Sequence, residues 1–290
     1  MSRGLGDVYK RQLVNDKNTT FDNLPEVCDI KLDEHQYAVI EQMAKERREF
    51  WLEFDIRNHF KLGPVKYHNV VASIKGTKYP DEYVIISGHL DAFDVATGGI
   101  DCGTGIGPMM EAARLIALSG AKPKRTILFI AFAGEEFGLL GAKAYARTHQ
   151  NELGKIANLF NRDGGPTPPI GISVPQAMYD DFVEICKPVK NINPDFPFEV
   201  KVAKPRKRPT STGGTDASVF AVEGVPTYGF TTDDIKGYNF SYGEIWHTER
   251  DLYTKNIPEY QEHTAVVTAI VALGVANLDK QLSREGMYKE

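Results

Sequence analysis

From about residue 66 onward the chain alternates short apolar runs with stretches of helical periodicity. HNVVASIKG (68–76), EYVIISGHLD (82–91), RTILFIAFA (125–133) and IANLFNRDGG (156–165) read as strands, and FEVKVA (198–203) and PTYGFTT (226–232) join them later. GIGPMMEAARLIALSG (105–120), GLLGAKAYARTH (138–149), QAMYDDFVEICKPV (176–189) and ASVFAVEG (217–224) read as helices, and a long final helix is predicted from Pro258 to about Leu282. Strands alternating with helices argue for an α/β fold, with a mostly parallel central sheet flanked by helices on both faces. Ahead of this unit, apolar residues near helical spacing (Tyr37, Ile40, Met43, Ala44) predict one helix. An alternating strand is predicted through Trp51, Glu53, Asp55 and Arg57. That stretch is too short to form a domain of its own, and the chain shows neither an internal repeat nor a low-complexity tract.

The 290 residues suffice for one large domain or one and a half, and 42% hydrophobic composition allows a sizeable core. A formal charge of −5 gives no electrostatic reason to expect nucleic acid or an anionic membrane as partner. No apolar run approaches a membrane span, since threonines and a glycine interrupt even HTAVVTAIVALGVANL. Cys28, Cys102 and Cys186 are odd in number and lack CxxC spacing, so neither a disulfide framework nor a cysteine zinc site is indicated. Residues 1–12, MSRGLGDVYKRQ, have neither the apolar core of a signal peptide nor a periodic pattern. They resemble translated sequencing-adapter read-through, and the natural start is expected to be missing.

In a parallel α/β sheet, polar chemistry gathers beyond the carboxyl ends of the strands. Three predicted strands end in residues able to bind metal: His89 with Asp91, Glu135 with Glu136, and Asp163. Asp101 lies in the glycine-rich loop TGGIDCGTG, and His247 lies in EIWHTERD before the final helix. Two imidazoles and three carboxylates form the donor set of a two-metal hydrolytic site, suited to Zn²⁺ with Co²⁺ or Mn²⁺ as substitutes. Asp101 is the expected bridge, because its neighbouring glycines let the backbone approach the ions. His89 would then pair with Asp163 on one ion and His247 with Glu136 on the other. Hydrolysis also needs an unbound acid to move the proton from water to the leaving amine, a role that falls to Glu135. Asp91, two residues past His89, is placed to accept the other ring N–H and fix the tautomer.

SGHLDAFDVATGGIDCGTG, FAGEEFGLLGA, NRDGG and WHTERD, in this order and spacing, resemble the M28 family of zinc metallopeptidases, in its carboxypeptidase Q-like branch. The resemblance spans His89 to Asp251. It implies a phosphorylase/hydrolase-like sheet, two zinc ions on residues matching His89, Asp101, Glu136, Asp163 and His247, and a general base matching Glu135. It further implies cleavage of N-terminal residues from peptides, or of dipeptides, that carry a free amine. That branch carries a protease-associated (PA) domain ahead of the HLD strand. Residues 13–65 are accordingly expected to be the tail of such an insert and 66–290 the catalytic domain, truncated at its N-terminus. A secreted or periplasmic location, a small peptide substrate and a homodimer complete the expectation.

Other features carry two readings each. Asp216, in GGTDASVF, is either a substrate-side acid or the N-cap of the next helix, and Tyr242 is either an oxyanion donor or a rim aromatic. Cys102 replaces the second acid frequent in the family and is read as a small residue packed beneath the loop. The basic run KPRKRP (204–209) either holds a substrate carboxylate or is a solvated loop. His35, His59, His68, His149 and His263 are read as structural or exposed. Two rival functions stand beside the peptidase: a non-catalytic binding relative of the same fold, and a single-zinc acyltransferase of the glutaminyl cyclase kind.

Overall fold

The computed structural model describes Leu32, residues 34–55, Arg57, residues 63–93 and residues 96–289. The adapter-like residues 1–12, Cys28 and His59 lie outside the described residues, as do the side chain of His35 and much of the 13–65 segment.

Helix α1 (Glu34–Lys45) forms where the periodicity predicts it. The strand expected through Trp51 does not form: residues 51–55 carry no regular structure. Alternation specifies a strand only when one face is buried, and here Trp51 (90% exposed), Leu52 and Phe54 all face solvent.

One sheet contains β1 (Val70–Ile74), β2 (Tyr79–His89), β3 (Arg125–Phe132) and β4 (Ile156–Asn161), in the order β1-β3-β2-β4. The β2 strand runs parallel to β3 and β4, whereas β1 is an antiparallel edge. Both faces of the central strands are covered, which is why their sequences are near-continuous apolar runs. On one face Val84, Ile86, Ile127 and Phe129 meet α2 (Gly103–Leu118) and the final helix (Pro258–Ala276). On the other, Ile85, Ile130 and Phe132 meet α3 (Leu140–Thr148) and α5 (Ala217–Val222).

A second sheet has the order β6-β5-β7, from β5 (Pro169–Val174), β6 (Glu199–Val202) and β7 (Phe230–Thr232). Helix α4 (Gln176–Cys186) connects β5 to β6, which are parallel, and β7 is antiparallel to β5. The β5 strand had no counterpart among the predicted elements, because its Pro169 and Gly171 read as breakers. Gly171 is needed there: a Cβ at this position would lie 2.3 Å from the Glu199 carbonyl of the neighbouring strand. PTYGFTT is strand only over its last three residues. Its first half is tied to β4 by the Leu159 N–H to Pro226 O bond and by the Asn158 side chain, which bonds both backbone groups of Tyr228. The final helix stops at Ala276, where the Asn277 side chain turns to accept the Lys124 N–H. The apolar pattern beyond it, read as helix to Leu282, is buried by a non-helical tail carrying Leu282 and Met287.

The basic run 204–209 staples that tail. Arg206 exchanges backbone bonds with Met287 and Lys289, and Arg206 and Arg208 both lie over the Tyr288 ring. His263 is buried against Phe196, His149 stacks on Tyr145, and Cys102 and Cys186 are free and buried. No helix among the described residues is long and apolar enough to cross a membrane.

Candidate active site

Strand register brings the chemistry together. His89, the last residue of β2, pairs with Phe132, the last of β3, and Ser87 pairs with Asn161 at the end of β4. The three strands therefore stop at one level, and the residues just beyond them, Glu135, Glu136 and Asp163, share one rim with His89. Leaving β3, the chain turns sharply through Gly134 (φ +70°), a conformation that side chains disfavour.

Two imidazole–carboxylate pairs meet at this rim. His89 Nε2 lies 2.8 Å from Asp101 Oδ1 and 3.4 Å from Asp163 Oδ1, and His247 Nε2 lies 2.9 Å from Glu136 Oε2. Ligand atoms of His89, Asp101 and Glu136 lie within 4.8 Å of one another, so Asp101 stands between the pairs. The structure brings these five side chains together. Asp101, Glu136, Asp163 and His247 line an open cleft of about 560 Å³ together with Glu135, Tyr242, Trp246 and the 212–214 loop, and His89 is buried against Asp101 and Asp163.

Asp91 acts differently from the expectation. Its backbone carbonyl, not its carboxylate, meets His89 Nδ1 at 2.9 Å, while the carboxylate oxygen is 3.7 Å away. A carbonyl can only accept, so Nδ1 carries a proton, and Nε2 is the ring atom turned to Asp101, Asp163 and any ion they hold. The Asp91 carboxylate instead accepts the N–H groups of Glu135 and Glu136, each at 3.1 Å, and so fixes the turn that presents both acids.

Asp216 is fully buried, which removes it from direct contact with a substrate, and it makes no side-chain cap bond to α5. Both of its carboxylate oxygens lack a partner, and burial pushes its pKa up to about 7, with Asp163 and Asp91 adding to the rise. Tyr242 lines the cleft, but its hydroxyl donates to Asp101 Oδ2 at 2.8 Å. Burial and the Asp101 charge hold that phenol well above its usual range. Cys102 packs beneath the loop, donating to the Arg162 carbonyl at 3.0 Å. A Cβ on Gly105 would lie 2.5 Å from its sulfur, so the α2 start admits only glycine there. The thiol also clusters with His89 and Asp163.

Several contributors escaped the sequence reading. Asp251 is buried and accepts the backbone N–H groups of Ile100 and Asp101, and Phe93 stacks on the His247 ring at 4.3 Å. The only signal for Asp251 was its place as the last acid of WHTERD.

The charge balance favours cations. Burial, reinforced by Asp163, raises Glu135 to about 9. Burial also opposes ionisation of Asp101, but the His89 contact outweighs it and holds that carboxyl low. Glu136 Oε1 and His247 Nδ1 are buried without hydrogen-bond partners. Orphaned buried atoms beside crowded carboxylates and imidazoles fit divalent zinc.

Comparison with known proteins agrees with this chemistry. The family described as Peptidase family M28 matches residues 69–271. Rat (Rattus norvegicus) carboxypeptidase Q is 31% identical over 236 residues, which cover 78% of this chain and 46% of that protein. A probable zinc metalloprotease of Pyrenophora teres f. teres is 41% identical over 108 residues, 34% of this chain and 23% of that one. The crystal structure of a peptidase M28 precursor from Shewanella amazonensis superposes with a TM-score of 0.71 at 28% identity, covering 90% of this chain and 57% of that chain. The chain spans about half the length of the curated carboxypeptidase Q relatives it matches. With the family profile matched from Asn69 to Val271 and the strand-end cluster inside it, the chain belongs to peptidase family M28.

Proposed function

We propose that residues 66–290 form the catalytic domain of a co-catalytic di-zinc exopeptidase, an aminopeptidase or dipeptidase acting on peptides with a free N-terminus. The observation that carries this reading is the meeting of two imidazole–carboxylate pairs, His89 with Asp163 and His247 with Glu136, on either side of Asp101. Each pair would hold one ion and Asp101 would be shared.

When bound, zinc supplies charge that lowers the pKa of a water and polarises the scissile carbonyl. Glu135, on the cleft wall, takes the proton of the attacking water and hands it to the departing amine nitrogen. Burial favours its protonated form, and dications beside it favour the carboxylate. Asp91 holds the Glu135–Glu136 turn, and Tyr242 holds the second oxygen of Asp101. The segment 13–65 belongs in this reading to a PA-like insert.

The test is hydrolysis of a small dipeptide panel, free and N-acetylated, with and without chelator. Cleavage of the free peptides only, lost on chelation and restored by zinc, is expected. Cleavage that survives chelation, or that is equal for blocked peptides, would sink the reading. Cyclisation of an N-terminal glutamine peptide without peptide hydrolysis would favour the acyltransferase instead.

A further inference from the structure

The cleft does not end at the acids. Lys143, in α3, lines both the metal-side cleft and a neighbouring hollow of about 290 Å³, and Thr212 lines both as well, so the two spaces adjoin. Ala146, Leu153, Val219 and Val222 give the hollow an apolar floor. Arg147, one helical turn beyond Lys143, stands on its rim. Among the described residues, Lys143 is the sole lysine or arginine lining the acid-rich cleft. Its Nζ donates to the Gly138 carbonyl at 2.8 Å, which leaves two of its three donors for a ligand. Among the described residues neither Lys143 nor Arg147 makes an ion pair.

We propose that this hollow is a carboxylate-recognising subsite, in which Lys143, assisted by Arg147, holds the terminal carboxylate of the residue leaving the cleft, with its aliphatic side chain on the apolar floor. The charges are complementary to a zwitterion: with Asp101, Glu136 and Asp163 engaged by the ions, Glu135 is the cleft acid left to meet a free ammonium, and Lys143, on the same lining, meets the carboxylate. Asp101, Glu135, Glu136 and Asp163 line the cleft and Glu223 lines the hollow, so among the described residues Lys143 and Arg147 are the lysine and arginine that an anion can meet there. The proposal rests on the exopeptidase reading for what occupies the cleft beside it.

Direct binding tests it without turnover. Titration of the zinc-loaded chain with L-leucine and with leucinamide should show leucine binding roughly tenfold tighter or more. Lys143→Gln should abolish that difference and Lys143→Arg should retain it. No preference in the wild type, or a preference that survives Lys143→Gln, would overturn the proposal. An equal loss for aspartic acid α-amide, whose only carboxylate is on its side chain, would overturn the terminal assignment. Alanyl-leucine turnover in the same samples separates the two ideas: intact leucine discrimination without turnover counts against the peptidase reading and leaves the subsite standing.

Discussion

Asp251 carries the loop that presents Asp101. Its buried carboxylate accepts the Ile100 N–H at 2.6 Å and the Asp101 N–H at 3.2 Å, four residues after His247 in the chain. One acid thus ties the segment bearing one imidazole to the loop bearing the central carboxylate. Replacing Asp251 by Ala leaves two buried N–H donors unmatched, at a cost of about 2–4 kcal/mol. Thermal unfolding should show this loss, and zinc content should fall with it although Asp251 is not one of the proposed ligands. An unchanged zinc content would separate the loop from the site.

Glu135→Gln separates proton transfer from metal binding. The amide keeps the shape and the Asp91-anchored backbone of the turn but cannot accept a proton. Zinc content should remain that of the wild type while kcat drops by about 10²–10⁴-fold. Loss of zinc in this variant would make Glu135 a ligand and remove it as the base.

Asp216 makes folding depend on pH. Burial lifts its pKa from 3.8 to about 7, so the folded state keeps a proton that the unfolded chain releases. An acid raised in this way favours folding at low pH, and the advantage declines as pH rises from 3.8 to about 7. In chelator, Asp216→Asn should therefore gain stability relative to the wild type across that window, by a few kcal/mol at its upper end. Denaturant unfolding at several pH values measures it, and parallel curves for the two proteins would refute it. Any further decline of the wild type toward pH 9 belongs to Glu135, whose carboxyl is raised to about 9.

The candidate site was legible in the sequence where side-chain placement follows from strand geometry. His89, Glu136 and Asp163 each follow an apolar run, and parallel pairing of those runs aligns their ends, so position along the chain predicted position in space. Asp251 was not legible, because accepting backbone N–H bonds from a remote loop leaves no periodic trace. The Asp91 carboxylate was assigned to His89 by strand parity, but the strand ends at His89 and parity lapses one residue later. The β5 strand was hidden because Gly171 reads as a breaker until the close approach of β6 explains it. The strand through Trp51 failed for the opposite reason: its alternation had no buried face to satisfy.

Five side chains from separate strand ends and loops are proposed to hold a pair of zinc ions between them. Equilibrium dialysis against zinc followed by elemental analysis tests it most directly, in the wild type and in Asp163→Asn and His247→Ala. Two tightly held ions per chain are expected, and a reduced count in each variant. A wild-type chain that retains one ion or none, or variants that retain the full count, would contradict it.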